Sequence, residues 1–433
     1  MRNFPKSLLT ILSGIISIGI IYHTPLFQKD ERQEYSEYIR EHAFFPSNKH
    51  IETDKAIPQS DRPDLSWQQN YLLTMDPVLM RPAPERLEAA RLLVKRKLSE
   101  ASARPGDNTF PWVERGPNNV GGRTRAIVWD PTDASGKKVW AGGVSGGLWF
   151  TSDIYDAAVT WQKVNDFWDN LSISAIAVDP VNNQIMYVGT GEGWGSGASR
   201  GDGIWKSTDG GSTWTKLTSS QNFYYINDLI VRNEAGIGVV YAAVRADYYE
   251  GSWHGLSAQG LQRSTDEGIT FTQVMTNIAG EGEPYAIADL ELAADNTLWA
   301  GSVDNAYSLT DDGGGSILYS TNGTTWTLST KRSGSQRVEL ACAPSNSNVV
   351  YALIENNGTV NEVLKTTNAG STWINISQPN DADTDIPATD FSRGQAWYDL
   401  ILAVDPTNEN TVIAGAIDLF RTTNGGTSWS QLS

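Results

Sequence analysis

Beyond about residue 112 the apolar positions fall in short runs closed by turn residues. AIVWDPTDASGKKVWAGGV (126–144), SAIAVDPVNNQIMYVGTG (174–191) and DLILAVDPTNENTVIAGAI (399–417) align with one another. Each holds an apolar run, an Asp-Pro turn and a second run rich in β-branched or aromatic residues. Such runs predict strands, and Asp-Pro predicts the turn that joins them. Alternation within the runs is partial, as expected of strands covered on both faces. A third run such as GIWKS (203–207) follows, then a compact turn, then a fourth run such as WTKL (214–217).

That turn recurs. It reads STDGGSTW (207–214), STDEGITF (264–271), TTNAGSTW (366–373) and TTNGGTSW (422–429), with a shortened STNGTTW (320–326) and a worn TSDIYDAAVTW (151–161). The closing aromatics Trp161, Trp214, Phe271, Trp326, Trp373 and Trp429 are separated by 53, 57, 55, 47 and 56 residues. Four strands per unit, repeated at this period, predict an all-β propeller with six recognisable blades. Within the turn, Asp209, Asp266, Asn322, Asn368 and Asn424 are placed to accept backbone N–H groups. Glycine takes a positive φ and the aromatic packs between blades. The turn is expected to be scaffold.

The rest of the chain divides around this domain. MRNFPK followed by SLLTILSGIISIGIIY (7–22) has the basic-then-apolar order of a signal sequence, so residues 1–23 are expected to act as a signal peptide or retained signal anchor. Residues 24–110 are rich in charge and proline and read as a linker with helices over 66–75 and 84–101. Leu87, Ala90, Val94 and Leu98 would form an apolar stripe on the second helix. The propeller takes 111–433. PWVERGP (111–117) resembles a fourth strand yet precedes the first unit, while the sixth unit has its own WSQL (429–432). A complete ring of seven blades, one of them missing through C-terminal truncation, is therefore expected, with apolar flanks bared on the first and sixth blades.

Net charge changes the picture by exclusion. At −17 over 433 residues the chain is a poor partner for nucleic acid. Membrane contact is expected only through the N-terminal signal or anchor, and the protein is expected to be extracytoplasmic, secreted or at the cell surface. Cys342, the single cysteine, lies in the apolar run VELACAP and reads as core.

Strands of alternating direction place the second-to-third and fourth-to-first connections on one rim, and these are the long loops. Long loops on a rigid ring are where ligands bind. They and the first strand supply the candidate ligand set Arg123, Arg125, Trp194, Arg200, Tyr248, Trp253, Arg393, Trp397 and Tyr398. Aromatics mixed with arginine and carboxylates suit a glycan or an extracellular polypeptide. Glycoside hydrolysis needs two carboxyls across a cleft, for which Glu192, Asp202 and Asp399 are the candidates. No cofactor is otherwise expected. Asp381, Asp383 and Asp385 alternate like calcium ligands, but Ile386 and Ser392 stand where a calcium loop has glycine and glutamate. Histidines are scattered, so zinc is not expected. GVSGG (143–147) runs into a strand rather than a helix, which excludes a nucleophile elbow.

The octet S/T-x-D-x-G-x-T-W resembles the Asp-box, or BNR repeat, of sialidases, sortilin-type receptors and xyloglucan-hydrolase propellers. GPNNVGGRTRAIVWDP (116–131), GGVSGGLW (142–149) and GTGEGWGSG (189–197) resemble more narrowly the secreted bacterial BNR-repeat proteins. The resemblance spans about 112–433 and implies the propeller fold. Its catalytic residues do not carry over. Xyloglucan-hydrolase propellers place an Asp before the Gly-Gly of the corresponding first-blade turn, where this chain has Val144 and Ser145. Arg123 and Arg125 are reminiscent of the sialidase arginine triad, but no F/Y-R-I-P motif accompanies them. The sequence thus points first to an exported binding module for glycan or polypeptide, and alternatively to a glycoside hydrolase using a rim carboxylate pair.

Overall fold

The computed structural model describes residues 34–35, 37, 63–76, 78–79, 82–83, 86–101, 122–165, 168, 170–194, 199–249, 252–308, 310–383, 386–387 and 390–433. The chain divides into two compact units, Met1–Val94 and Lys95–Ser433. Helices α1 (Pro63–Thr74) and α2 (Leu87–Ala101) occupy the two predicted stretches. Leu72 and Met75 are buried at the end of α1, whereas Ala90 and Val94 of the expected α2 stripe are exposed. Among the described residues no helix is long and apolar enough to cross a membrane. The expected signal (1–23) and the strand-like 111–117 lie outside the described residues.

The second unit is a propeller of six four-stranded antiparallel blades. Blade 1 is β1 (Thr124–Trp129), β2 (Val139–Gly143), β3 (Gly147–Thr151) and β4 (Gln162–Lys163). Blade 2 is β5 (Ile173–Val178), β6 (Met186–Thr190), β7 (Ile204–Ser207) and β8 (Thr215–Lys216). Blade 3 is β9 (Tyr225–Glu234), β10 (Ile237–Arg245), β13 (Gly260–Ser264) and β14 (Thr272–Gln273), interrupted by a hairpin of β11 (Asp247–Tyr249) and β12 (Ser252–His254). Blade 4 is β15 (Ala286–Leu292), β16 (Leu298–Val303), β17 (Ser316–Ser320) and β18 (Thr327–Lys331). Blade 5 is β19 (Val338–Cys342), β20 (Val350–Asn356), β21 (Thr359–Thr366) and β22 (Ile374–Ile376). A single helical turn, α3 (Ala396–Asp399), leads into blade 6, formed by β23 (Ile401–Asp405), β24 (Asn408–Gly415), β25 (Leu419–Thr422) and β26 (Ser430–Gln431). Cys342 is buried in the core between blades 4 and 5.

The repeated turn joins third and fourth strands and is satisfied by its own side chains. Asp209 accepts the Thr213 N–H at 2.8 Å and the Thr213 hydroxyl at 2.6 Å. Asp266 does the same with Thr270. In the asparagine versions the carbonyl still accepts the backbone, as Asn368 does from Thr372 at 2.9 Å, while the amide donates to the hydroxyl. Asn424 pairs likewise with Ser428, and Asn322 accepts from Thr325 N–H. Gly211, at φ +84°, lies so close to the Trp140 ring of blade 1 that a Cβ there would overlap it. Gly370, at φ +78°, meets Trp299 of blade 4 in the same way. Trp214 and Trp373 complete these contacts, with centroids 6.3 Å from Trp140 and 6.1 Å from Trp299. The second strands of blades 1–5 thus carry a row of fully buried rings, Trp140, Tyr187, Tyr241, Trp299 and Tyr351. Blade 6 has Ile413 at this position.

Inner strands β1, β5, β9, β15, β19 and β23 pack in succession, each on the next, but β23 and β1 share no comparable contact. Apolar side chains stand bare along that seam. Ile127 is 60% and Ile401 50% exposed, and Trp129 of blade 1 and Ile417 and Leu419 of blade 6 are exposed as well. These are the flanks of blades 1 and 6.

Candidate functional site

An axial cavity of about 610 Å³ is lined by inner-strand residues of all six blades, among them Ala126, Ala175, Asp228, Asp289, Glu339 and Ile401. Its wall is shaped by a repeated irregularity. In blades 1–4 the pairing of the first two strands shifts by one residue, leaving Arg125, Ser174, Asn227 and Ala288 as the extra residues. A bulge of this kind re-aims a side chain. All four line the cavity.

At the long-loop end the cavity holds a network of arginines and acids. Arg123 donates to the Tyr398 hydroxyl at 2.7 Å, and Arg125 donates to the Tyr398 carbonyl at 2.9 Å. Glu192, buried, pairs with Arg125 at 3.4 Å and Arg123 at 3.8 Å. Arg337 donates to the Tyr398 carbonyl at 2.7 Å and pairs with Glu339. Trp194 lies under both inner arginines, with the Arg337 guanidinium 4.3 Å and that of Arg125 5.3 Å from its ring. Burial, reinforced by the Arg337 charge, lowers the pKa of Arg125. Burial and the hydrogen bond to Glu192 push the Tyr398 phenol up to about 12, so it stays protonated.

Asp399 also lines the cavity, and no hydrogen bond or ion pair reaches its carboxyl among the described residues. Burial raises its pKa against the opposing pull of Arg125, Arg337 and Arg123. Further along the inner strands stand Asp228, Asp289, Glu291 and Glu339. Burial raises Asp228 to about 7, helped by Glu339. Burial, Asp228 and Glu339 raise Glu291 to about 8. Asp289 is raised well above the carboxylate range by burial and by Glu339, Glu291 and Asp228. A half-buried acid surrounded by other acids is disfavoured as an anion.

Of the sequence candidates, the structure gathers Arg123, Arg125, Glu192, Trp194, Tyr398 and Asp399. Trp194 is only 6% exposed, so it is packed rather than displayed. Trp397 is exposed beside Tyr398, with centroids 5.3 Å apart. The others lie elsewhere. Tyr248 and Trp253, on the β11–β12 hairpin, form an edge-to-face series with Tyr307 at 5.8 and 5.7 Å. Arg200 covers the Tyr224 ring at 4.1 Å. Asp202 is ion-paired to Lys216. Arg393 bonds Asp381, Asp383 and Asp418 together, supplying the positive charge a calcium ion would have brought to that loop; Asp385 is outside the described residues. Arg337, Glu339, Asp228, Asp289 and Glu291 lie outside the sequence candidates. Their signal is a charge within or just before an inner strand, in YINDLIV, YAIADLELA and RVELAC; at the position of Asp228, Asp289 and Glu339 the other blades have alanine or isoleucine.

The class of protein defined by this fold is a β-propeller with a charged axial site. No family model matches the chain. It is 23% identical over 370 residues to a xyloglucanase of Hypocrea jecorina (strain QM6a), covering 76% of this chain and 40% of that protein. It is 27% identical over 303 residues to a xyloglucanase of Paenibacillus sp, covering 64% and 23%. The chain therefore spans less than half the length of either relative. Among solved structures it is similar to the GH74 enzyme of Niastella koreensis, with a TM-score of 0.50 and 22% identity over 71% of this chain and 46% of that one. The GH74 xyloglucanase of Xanthomonas campestris gives a TM-score of 0.50 at 20% identity, covering 72% and 45%.

Proposed function

We propose that the chain is an exported carbohydrate-active propeller, a glycoside hydrolase acting on a β-glucan of the xyloglucan type. The observation that carries this reading is Asp399: an unpartnered carboxyl with a raised pKa, lining the cavity whose wall arginines Arg123 and Arg125 hold the buried Glu192. Protonated Asp399 serves as the general acid that gives its proton to the departing glycosidic oxygen. Glu192, fixed by Arg123 and Arg125, is the opposing carboxylate, as base or nucleophile. The Tyr398 phenol holds Glu192 in place, and Trp194 packs beneath the arginines. The two xyloglucanase relatives favour this substrate class. Export rests on the signal-like residues 1–23, and the octet turns are read as Asp-boxes.

A second reading, a glycan-binding module, is favoured by Val144 and Ser145, which stand where the resemblance to xyloglucan hydrolases calls for an Asp. Reducing-end release from xyloglucan and a panel of β-glucans decides between them. Under the first reading Asp399→Asn lowers release by roughly 100-fold or more, with binding to immobilised xyloglucan retained. Binding with no release by the unaltered chain would establish the second.

A further inference from the structure

We propose that Tyr248, Trp253 and Tyr307 form a stacking platform on the long-loop rim for an extended β-linked glucan chain. None of the three lines the axial cavity. The inference stands whether that cavity cleaves a glycan or only binds one.

Blade 3 carries the β11–β12 hairpin between its second and third strands, and alternation gives this ribbon two faces. Asp247 and His254 pair across one face, Tyr248 and Trp253 across the other. The first face is the anchor. The Asp247 carboxylate lies against Gly193 of the blade 2 loop, and His254 meets the Tyr224 ring edge to face at 5.7 Å. Arg245, at the base of the hairpin, donates to the Gly193 carbonyl at 2.7 Å and pairs with Asp304 of the blade 4 loop at 3.5 Å. A two-stranded ribbon is marginal by itself, and here it is fastened through the face opposite Tyr248 and Trp253.

Tyr307 extends the series across the blade boundary. Its N–H donates to the Asn305 side chain at 3.1 Å, and the amide of buried Asn305 donates in turn to the Pro284 carbonyl at 3.2 Å. Both halves of the platform are therefore held from below. Tyr248, Trp253 and Tyr307 are 57%, 36% and 44% exposed, which bares about 300 Å² of amphipathic surface. A stable protein interface takes roughly 800 Å² from each partner, so the patch is too small to seat a folded protein. A sugar chain suits it. The glucose ring carries its hydroxyls equatorially, so each of its faces is a plate of C–H groups, which the negative face of an aromatic ring attracts. The phenol hydroxyls can exchange hydrogen bonds with the sugar hydroxyls. A β-linked chain is a flat ribbon that can lie across successive rings, whereas an α-linked chain coils away from them.

The test is affinity electrophoresis of the full chain in gels of hydroxyethylcellulose, a β-glucan, and of glycogen, an α-glucan, with a melting curve for each variant. Retardation by hydroxyethylcellulose and none by glycogen is expected. Trp253→Ala and Tyr307→Ala each weaken it roughly twofold to tenfold. Trp253→Leu, which keeps apolar bulk without a ring, weakens it as much as Trp253→Ala, and Trp253→Phe keeps most of it. Tyr155→Ala, which removes an exposed ring from the short-turn face, changes nothing. No retardation of the unaltered chain, or none lost when Trp253→Ala and Tyr307→Ala are combined, overturns the proposal. So does a double variant whose light scattering falls with glucan retardation intact, since the rings are then a contact between copies. A collapse of its melting curve overturns it too, because the rings are then packing. Sugar release is not read, so failure of the hydrolase reading leaves this outcome untouched.

Discussion

Arg123 and Tyr398 meet at 2.7 Å although 275 residues separate them, because one precedes the first inner strand and the other the last. With Arg125, which bonds the Tyr398 carbonyl, this contact ties blade 1 to the entrance of blade 6 at the loop rim. The candidate site is also the clasp of the seam. Removing the Arg125 guanidinium leaves buried Glu192 with the longer Arg123 contact and the Tyr398 phenol, and leaves the Tyr398 carbonyl to Arg337 alone. Arg125→Ala is expected to cost about 1.5–3 kcal/mol of stability in urea unfolding. A loss no larger than that of an exposed surface change would show that the clasp contributes nothing.

Under the hydrolase reading Asp399 sets the alkaline side of the pH–activity profile. Its pKa is raised, by burial first, and in that reading the acid form is the active one. Activity therefore persists above the ordinary carboxylate range and falls as pH rises through the shifted value. The profile of kcat/KM on xyloglucan checks this. An alkaline limb that survives in the residual activity of Asp399→Asn would assign the titration to another group.

The sequence marks the blades clearly and the site only in part, for physical reasons. Turn residues such as Asp209 and Gly211 act through their own backbone, so a short motif contains their whole function. Arg125 and Ser174 face the cavity through bulges, a one-residue slip invisible in an apolar pattern. Asp228 and Glu339 lie in strands rather than rim loops, where a single acid within an apolar run forms no motif, yet the inner strand is where a propeller lines its axis. Trp194 was expected at the surface because its loop is glycine-rich. Its ring is instead buried, and two arginines cover it.

The two tryptophans separate packing from recognition. Trp194→Ala is expected to destabilise the propeller by about 3–5 kcal/mol, as for a large buried side chain. Trp253, 36% exposed on the β11–β12 hairpin, makes edge contacts with Tyr248 and Tyr307. Trp253→Ala should scarcely move the Tm while weakening a stacked glycan by about 1 kcal/mol. Affinity electrophoresis in xyloglucan and a melting curve read both. Equal melting of the two variants would refute the distinction.

The octets divide by acid sensitivity. Hydrogen bonds from Thr213 and Ser207 hold Asp209 at about 2, and those from Thr270 and Ser264 hold Asp266 at about 2. A carboxyl depressed in the folded state stabilises it above the unfolded pKa near 3.8, and that stability is lost as pH falls toward 2. Asn322, Asn368 and Asn424 do not titrate, so acid loosening should begin in blades 2 and 3. Asp209→Asn should flatten the fall of Tm below pH 4, and Asp209→Ala should cost about 1 kcal/mol at neutral pH. Hydrogen exchange at low pH that opens blades 4–6 first would contradict this account.

Ile127 and Leu340 occupy the same position of their inner strands, each opposite the residue after the second-strand aromatic. Leu340 is fully buried between blades 4 and 5, whereas Ile127 on the flank of blade 1 is 60% exposed, as are Trp129 of the same strand and Leu419 of blade 6 in lesser measure. Identical chemistry should therefore carry different energetic weight. Leu340→Ala is expected to cost about 2–5 kcal/mol. Ile127→Thr should stay within about 0.5 kcal/mol of the unaltered protein. A contiguous apolar flank also binds hydrophobic dyes and promotes self-association. The folded chain should enhance dye fluorescence well below its Tm, and Ile127→Glu combined with Leu419→Glu should suppress both dye binding and light scattering. Were Ile127→Thr as costly as Leu340→Ala, or dye binding unchanged in the double variant, the seam would have to be covered in solution.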